Sequence, residues 1–154
     1  MAIEIERKFL VIGDAWRTLG QGTLYRQGYI TKGQGRTVRV RIAGDQGYLT
    51  IKGAPVGLVR PEFEYAIPLA DAETMLATLC DRPLIEKTRY RIDWDGLVWE
   101  VDEFLGENQG LIIAEVELTS PTQAITLPSW VGDEVTHDAR YYNASLVSHP
   151  FSRW

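Results

Sequence analysis

Residues 3–11, IEIERKFLV, open with strict alternation between apolar and charged side chains. Because successive side chains of a β-strand point to opposite faces of a sheet, this segment predicts a strand with one apolar and one charged face. The same alternation returns along most of the chain, in segments bounded by Gly, Asp or Pro. It predicts eight strands, at residues 2–11, 23–31, 36–43, 47–53, 59–68, 84–94, 97–105 and 111–119.

Helical spacing of apolar residues is confined to short segments. Residues 70–80 and 140–148 predict two helices with Asp71 and Asp138 as their N-caps, and a shorter helix is expected around Trp16. Asp and Gly tolerate the positive φ of tight turns, so GDQG at 44–47 and DWDG at 93–96 predict hairpins. The stretch 120–138, which contains two prolines, is expected to be irregular. The fold class is therefore β-dominated, with a few helices outside the sheet.

The composition is that of one soluble globular domain. The chain has 154 residues, of which 45% are hydrophobic and 24% charged, and we expect a single domain over residues 1–154. No apolar run approaches the ~20 residues that a membrane span needs, and the charged start does not resemble a signal peptide. A cytoplasmic location is predicted. The single cysteine, Cys80, and the widely spaced His137 and His149 exclude an internal disulfide and a His/Cys metal site.

Charge is distributed unevenly along the chain. Residues 1–60 hold ten Lys or Arg and four Asp or Glu, whereas residues 61–154 hold six and seventeen, which together give the net charge of −5. The overall acidity argues against nucleic-acid binding, and no membrane association is expected. The asymmetry is typical of separate basic and acidic surfaces, or of one site that binds an anion together with its metal counter-ions.

The charged faces of the predicted strands repeat like-signed residues two positions apart. A half-solvated antiparallel sheet explains any one such strand, but side chains of equal charge repel, and their recurrence on several strands requires a compensating partner. A closed eight-stranded barrel supplies one, because carboxylates and cations then face each other across a lumen with room for one small ligand. Arg and Lys bind phosphate and carboxylates bind hard cations, so the sequence predicts a site for a polyphosphate with Mg²⁺ or Mn²⁺.

The motifs on these strands resemble those of the CYTH superfamily, also called triphosphate tunnel metalloenzymes. The resemblance rests on seven segments in family order: Glu4–Lys8 (EIERK), Val38–Arg41, Thr50–Lys52, Glu62–Glu64, Glu86–Arg89, Glu115–Glu117 and Asp138–Asn143. It implies a closed tunnel of eight antiparallel strands that hydrolyses triphosphates with a divalent metal. The opening EIERKFLV and the Arg26–Tyr29 segment, RQGY, are most similar to the short bacterial inorganic triphosphatase branch.

Roles follow from this resemblance and from side-chain chemistry. The expected metal ligands are Glu4, Glu6, Glu115 and Glu117, and the expected phosphate ligands are Lys8, Arg39, Arg41, Lys52, Lys87 and Arg89. The resemblance implies that Lys8 and Tyr29 activate water, and Lys87 is also assigned to catalysis. Gln27, Tyr29 and Thr31 are expected to share the face of their strand that points into the lumen.

Four further residues are also candidates for the site. Glu62 and Glu64 are candidates either for a second ion or for orienting the lysines and arginines, and Asp102 for balancing the charge of the tunnel. Arg140 is a candidate phosphate ligand or a lock on the helix over a tunnel mouth. The five tryptophans are expected to cover the outer apolar face rather than bind a nucleobase.

Three alternatives to an inorganic triphosphatase stay open. Two lie within the family: a class IV adenylate cyclase, and a nucleoside or thiamine triphosphatase. The third is a non-catalytic module that binds polyphosphate, which the two complete pairs of candidate metal ligands disfavour. The predicted partner is a small-molecule polyphosphate, and the protein is expected to be a monomer or a homodimer.

Overall fold

The computed structural model describes residues 2–154, which form nine strands and two α-helices. Short 3-10 turns, among them Ala15–Thr18 and Ala139–Tyr141, connect several of these elements. The strands are β1 (Ile3–Val11), β2 (Gly22–Gly33), β3 (Arg36–Ala43), β4 (Gln46–Lys52), β5 (Val59–Ile67), β6 (Ile85–Trp94), β7 (Leu97–Phe104), β8 (Ile112–Glu117) and β9 (Val131–Glu134). The helices are α1 (Leu69–Thr78) and α2 (Asn143–Ser148).

Eight of the strands form an antiparallel ring. Their order is β5-β4-β3-β2-β6-β7-β8-β1, and three residue pairs between β1 and β5, from Ile3 with Pro61 to Ile5 with Val59, complete it. On its other side β1 pairs with β8, which sets Glu6 opposite Glu117 and Lys8 opposite Glu115. The predicted closed arrangement is therefore confirmed as a ring of paired strands.

One strand was not predicted. β9 lies in the stretch that was expected to be irregular, and it pairs with the end of β1 through Phe9 with Glu134 and Val11 with Val131. The stretch contains prolines, and β9 has only four residues, VGDE, of which Val131 alone is buried. So short a segment carries too little alternation to be recognised from the sequence.

The helices begin later or end earlier than predicted. The first covers Leu69–Thr78, and its N-cap is Pro68; the assignment of the cap to Asp71 was wrong, because that residue lies within the first turn. The second covers only Asn143–Ser148. Asp138 does cap a turn, but it is the preceding 3-10 turn, in which its side chain accepts a hydrogen bond from the Arg140 backbone N–H. The expected helix around Trp16 is the 3-10 turn Ala15–Thr18.

The apolar core lies between the outside of the ring and the segments that cover it. Trp16 and Trp99 are fully buried and Trp130 nearly so, all in a cluster on β1, β7 and β8. On the opposite side α1 packs on β3 and β4 through Ala72 and Leu76. Gly47 permits this approach, since a Cβ there would lie 2.9 Å from that of Ala72.

The two helices leave part of the outer apolar face of the ring uncovered. Ile3, Ile51, Phe63 and Tyr65 point outward from β1, β4 and β5 and are 42–56% exposed. The reason is that α1 is ten residues long and its contacts are with β3 and β4. Within residues 2–154, neither helix has the length and apolar character needed to cross a membrane.

Candidate functional site

The inside of the ring is a charged cavity of about 640 Å³. Its lining contains nine basic side chains, namely Lys8, Lys32, Arg36, Arg39, Arg41, Lys52, Arg60, Lys87 and Arg89. Seven acidic side chains also line it: Glu4, Glu6, Glu62, Glu64, Glu100, Glu115 and Glu117. Strand alternation places most of these residues inward, as the sequence predicts, and the ring then brings both signs of charge to one volume.

Nearly all of the predicted site residues meet in this cavity. Thirteen of the fifteen line it: Glu4, Glu6, Lys8, Tyr29, Arg39, Arg41, Lys52, Glu62, Glu64, Lys87, Arg89, Glu115 and Glu117. Asp102 is fully buried behind the lining. Arg140 lies apart from the cavity, with a side chain 60% exposed and ion-paired to Asp138 at 2.8 Å.

The acids of β1 and β8 are neighbours because these two strands pair directly. Glu6 faces Glu117, and two like charges in directly opposed positions repel. Burial, together with the charges of Glu115 and Glu4, raises the pKa of Glu6 to about 8. Within residues 2–154, no three acidic, His or Cys side chains already lie together in the arrangement of a metal site.

Lys52 forms salt bridges with two further carboxylates of the lining, Glu4 and Glu62. Its ammonium lies 2.8 Å from Glu4 and 3.3 Å from Glu62. Burial alone would raise the pKa of Glu4, but the Lys52 charge lowers it to about 2. Glu62 shows the opposite shift, because burial and the adjacent Glu4 raise its pKa to about 7. Glu4 is therefore the carboxylate that this lysine neutralises.

Asp102 holds two of the cations from behind. Its carboxylate accepts hydrogen bonds from Arg89 Nε and Nη2 at 2.7 and 2.8 Å and from Lys87 Nζ at 2.7 Å. Burial would raise the pKa of Asp102, but these two cations hold it well below its usual range. The pKa of Lys87 is lowered to about 7, chiefly by burial and by the charges of Arg89 and Arg41. Asp102 was predicted to balance the charge of the tunnel, and in this geometry its hydrogen bonds also position Lys87 and Arg89.

Lys8 and Tyr29 both line the cavity, but no hydrogen bond joins them among the residues described here. The Lys8 ammonium lies 3.7 Å from Glu115 and 3.5 Å from the Tyr141 carbonyl, which it donates to. Burial lowers its pKa, but the charges of Glu115 and Glu6 more than offset this and raise it above the usual value. The Tyr29 hydroxyl instead accepts a hydrogen bond from Gln27 Nε2 at 3.4 Å.

A register shift in β2 changes which residues face inward after Tyr29. Tyr29 pairs with Arg39 and Thr31 with Val38, so that one extra residue is present on β2 between these pairs. The placement of Thr31 in the lumen was therefore wrong, and this residue is exposed. Lys32 points inward instead and donates to the Ala144 carbonyl at 3.2 Å. No feature of the sequence at this position predicts the shift.

The chain after β9 supplies lining residues that the sequence reasoning missed. Thr136, His137, Tyr142, Asn143, Ala144, Ser145 and Ser148 reach the cavity. Asn143 belongs to a motif quoted for the resemblance, but no role was assigned to it. Arg36 was also missed and lines the cavity. Arg60, which strand alternation places on the charged face, lines it as well, and its guanidinium donates to the carbonyls of Gly53 and Gly35, each at 2.7 Å. As expected, no tryptophan of the described chain lines it.

Comparisons with known proteins agree with this geometry. The family model of the CYTH domain matches residues 2–149. An inorganic triphosphatase of Acetivibrio thermocellus is 51% identical over 154 residues, which cover 100% of this chain and 99% of the relative. An inorganic triphosphatase of Nitrosomonas europaea is 39% identical over 152 residues, covering 94% of this chain and 96% of the relative.

Solved structures show the same fold. The crystal structure of an inorganic triphosphatase superimposes with a TM-score of 0.67 at 35% identity, over 93% of this chain and 96% of that one. A protein from Hippeastrum with a dominant triphosphatase activity superimposes with a TM-score of 0.56 at 16% identity, over 79% of this chain and 81% of its own. At this lower identity the likeness concerns the fold alone.

Proposed function

The chain belongs to the CYTH domain family, and from this premise we propose that it hydrolyses inorganic tripolyphosphate to pyrophosphate and phosphate with Mg²⁺ or Mn²⁺ inside the ring. The ring acts in this proposal as a closed β tunnel that surrounds the substrate. The observation that carries it is the cavity lining, in which nine basic and seven acidic side chains converge on about 640 Å³. The names of the two curated relatives support triphosphate as the substrate.

The basic side chains bind the phosphates in this proposal. Phosphoryl transfer needs little covalent participation by the protein, so cations that position the chain and stabilise the charge on its oxygens are the main catalytic apparatus. Arg39 supports this role, because its Nε is buried and has no hydrogen-bond partner within residues 2–154. A buried donor of this kind is costly unless a ligand or a water supplies an acceptor.

The acidic side chains fit a divalent cation. Glu4, Glu6, Glu115 and Glu117 supply the oxygen ligands that Mg²⁺ and Mn²⁺ prefer. Glu6 and Glu117 are directly opposed, and burial with adjacent charge raises the pKa of both. Carboxylates crowded in this way are stabilised by added positive charge. The bound metal would polarise the phosphate oxygens and favour loss of the leaving group.

Water activation is assigned to Tyr29, with Lys8 as its electrostatic partner. The base in this proposal is the deprotonated tyrosine oxygen, which can accept a proton from water, and the Lys8 ammonium is a neighbouring positive charge. Lys8 remains charged because its pKa is raised, so it cannot be the base itself. The proton therefore moves from water to the Tyr29 oxygen, while Lys8 stabilises the negative charge nearby.

The cyclase and nucleoside triphosphatase alternatives both require a base-binding surface. Stacking on an aromatic side chain is the common way to hold a nucleobase, and the aromatic side chains of the lining are Tyr25, Tyr29, Tyr142 and the imidazole of His137. Tyr25 and Tyr142 already carry cations on their rings: Arg41 and Arg89 at 4.9 Å, and Lys8 at 5.4 Å, respectively. Tripolyphosphate therefore fits the lining better than ATP does.

A substrate panel tests the proposal. Phosphate release is measured from tripolyphosphate, ATP, GTP and thiamine triphosphate, with Mg²⁺, with Mn²⁺ and with chelator. We expect tripolyphosphate to be used far better than the others, with pyrophosphate and phosphate as products and no turnover in chelator. Cyclic AMP as the main product would establish the cyclase, and binding without turnover under any metal would establish the non-catalytic module.

A further inference from the structure

A chain of two uncharged side chains, Gln27 and Asn143, connects Arg41 to Lys87 in the wall of the cavity. Gln27 lies on β2 with its side chain fully buried, and its Oε1 accepts a hydrogen bond from Arg41 Nε at 2.8 Å. Its Nε2 donates to Asn143 Oδ1 at 3.4 Å. The same Asn143 oxygen accepts a hydrogen bond from Lys87 Nζ at 2.9 Å. Two amides thus bridge two cations that are candidate phosphate ligands.

The two cations fix the orientation of both amides. Arg and Lys side chains have donors and no acceptor, so each amide must turn its oxygen toward its cation. Gln27 is then left with its NH₂ group facing the Asn143 oxygen and the Tyr29 hydroxyl, and both can accept. A flipped Gln27 amide would set donor against donor at Arg41, which makes the observed arrangement the favourable one.

The neutrality of this bridge distinguishes it from the other supports of the site. Asp102 neutralises part of the charge of Lys87 and Arg89, whereas Arg41 has no salt bridge to a carboxylate within residues 2–154. An amide oxygen can hold a guanidinium in place and still leave its full charge available to an anion. A Glu at position 27 would hold Arg41 as well, but it would cancel that charge.

We propose that Gln27 is a positioning residue, which orients Arg41 directly and Lys87 through Asn143 for contact with the phosphate chain. The inference rests on the proposed triphosphatase function, because it assigns these cations to the substrate. Gln27 itself does not line the cavity, so its effect on the reaction is exerted through its neighbours. Replacing it should disturb both substrate binding and the chemical step.

A mutant cycle tests this role. Gln27→Met keeps the approximate volume but removes both amide contacts, and Arg41→Lys keeps the charge but removes the Nε donor. We expect Gln27→Met to lower kcat/KM for tripolyphosphate by about 10- to 100-fold, through both kcat and KM. In the Arg41→Lys background the same change should cost less, because the contact with Arg41 is already lost and only the connection through Asn143 to Lys87 remains. Gln27→Glu should not restore activity.

The control removes one buried methyl group from the adjacent strand. Ile42 packs against α1, away from the bridge, so Ile42→Val should keep kcat/KM within about twofold. A Gln27→Met effect that is equally large in the Arg41→Lys background would overturn the positioning role, as would rescue by Gln27→Glu. The positioning role would also be overturned if Ile42→Val and Gln27→Met lowered the Tm equally and lost the same amount of activity.

A readout without turnover separates this inference from the proposed function. In a ¹H–¹⁵N spectrum of the arginine side chains, the Arg41 Nε–H should exchange slowly with solvent in the parent and rapidly in Gln27→Met. If the parent hydrolyses no triphosphate but shows this difference, the proposed function fails and Gln27 still orients Arg41. If the Arg41 signal is the same in both proteins, the positioning role fails whatever the activity.

Discussion

Asp102→Asn should destabilise the protein strongly, although it changes one atom of the side chain. The carboxylate is 0% exposed and is the counter-ion for both Lys87 and Arg89. The amide keeps the shape and one acceptor, but it replaces the other acceptor with a donor, leaves Lys87 without its salt-bridge carboxylate and leaves Arg89 with only Glu100 and Glu115. Breaking a buried ion pair in this way costs about 3–5 kcal/mol. Since one acceptor remains, we expect a loss near the lower limit, about 3 kcal/mol.

Urea denaturation measures this loss. With a denaturant slope of about 2 kcal/mol per molar, 3 kcal/mol corresponds to a fall of about 1.5 M in the midpoint. The matched control is Asp93→Asn on the adjacent strand β6, whose side chain is exposed. It should change the free energy of unfolding by at most about 0.5 kcal/mol. A loss below about 1 kcal/mol for Asp102→Asn would show that its charge does not hold the two cations.

Four further outcomes are expected. Glu4→Gln and Glu117→Gln should each keep the fold but abolish hydrolysis, because each removes a carboxylate charge at constant shape; near-parent turnover at limiting Mg²⁺ would remove both from the metal site. Tyr29→Phe should lower kcat at neutral pH by about 10²- to 10⁴-fold with little change in KM; an unchanged kcat would assign the tyrosine to the cavity wall alone. Because the pKa of Lys87 is about 7 and a bound polyanion favours its charged form, tripolyphosphate binding should take up a proton and weaken by up to tenfold per pH unit above pH 7. Calorimetry in two buffers of different ionisation enthalpy measures the uptake, which Lys87→Met should abolish. Saturating tripolyphosphate with Ca²⁺ should raise the Tm, because a ligand that binds only the folded state at 100 times its Kd stabilises that state by about 2.7 kcal/mol. An unchanged Tm would contradict the assignment of the ring as the polyphosphate site.

Sequence periodicity was sufficient for the eight strands of the ring, because each has a buried or charged face that repeats every second residue. Each observed strand of the ring overlaps its prediction, with ends that differ by at most two residues. β9 and the true start of α2 were missed for a common reason. Both are short, and both are stabilised by contacts with distant parts of the chain, such as Phe9 with Glu134, rather than by their own pattern.

The site was predictable where it depends on strand alternation and unpredictable where it depends on irregular backbone. Inward placement of Glu4, Glu6 and Lys8 follows directly from the pattern of β1. Lys32 faces inward only because of the register shift after Tyr29, and a shift of one residue reverses the face of every later side chain. Asn143 reaches the cavity from a helix that follows an irregular segment, so no periodicity indicates it.

Arg41 differs from the other five predicted phosphate ligands in the negative charge that surrounds it. The other five are each within salt-bridge distance of a carboxylate: Lys8 with Glu115 at 3.7 Å, Arg39 with Glu64 at 3.4 Å, Lys52 with Glu4 at 2.8 Å, and Lys87 and Arg89 with Asp102, each at 2.7 Å. Arg41 has none among residues 2–154, and burial with the charges of Arg39 and Arg89 lowers its pKa to about 10. An anion that enters the ring gains most where positive charge is least compensated. Arg41 is therefore the side chain at which a phosphate oxygen relieves the greatest repulsion, and a neutral support such as Gln27 preserves that advantage.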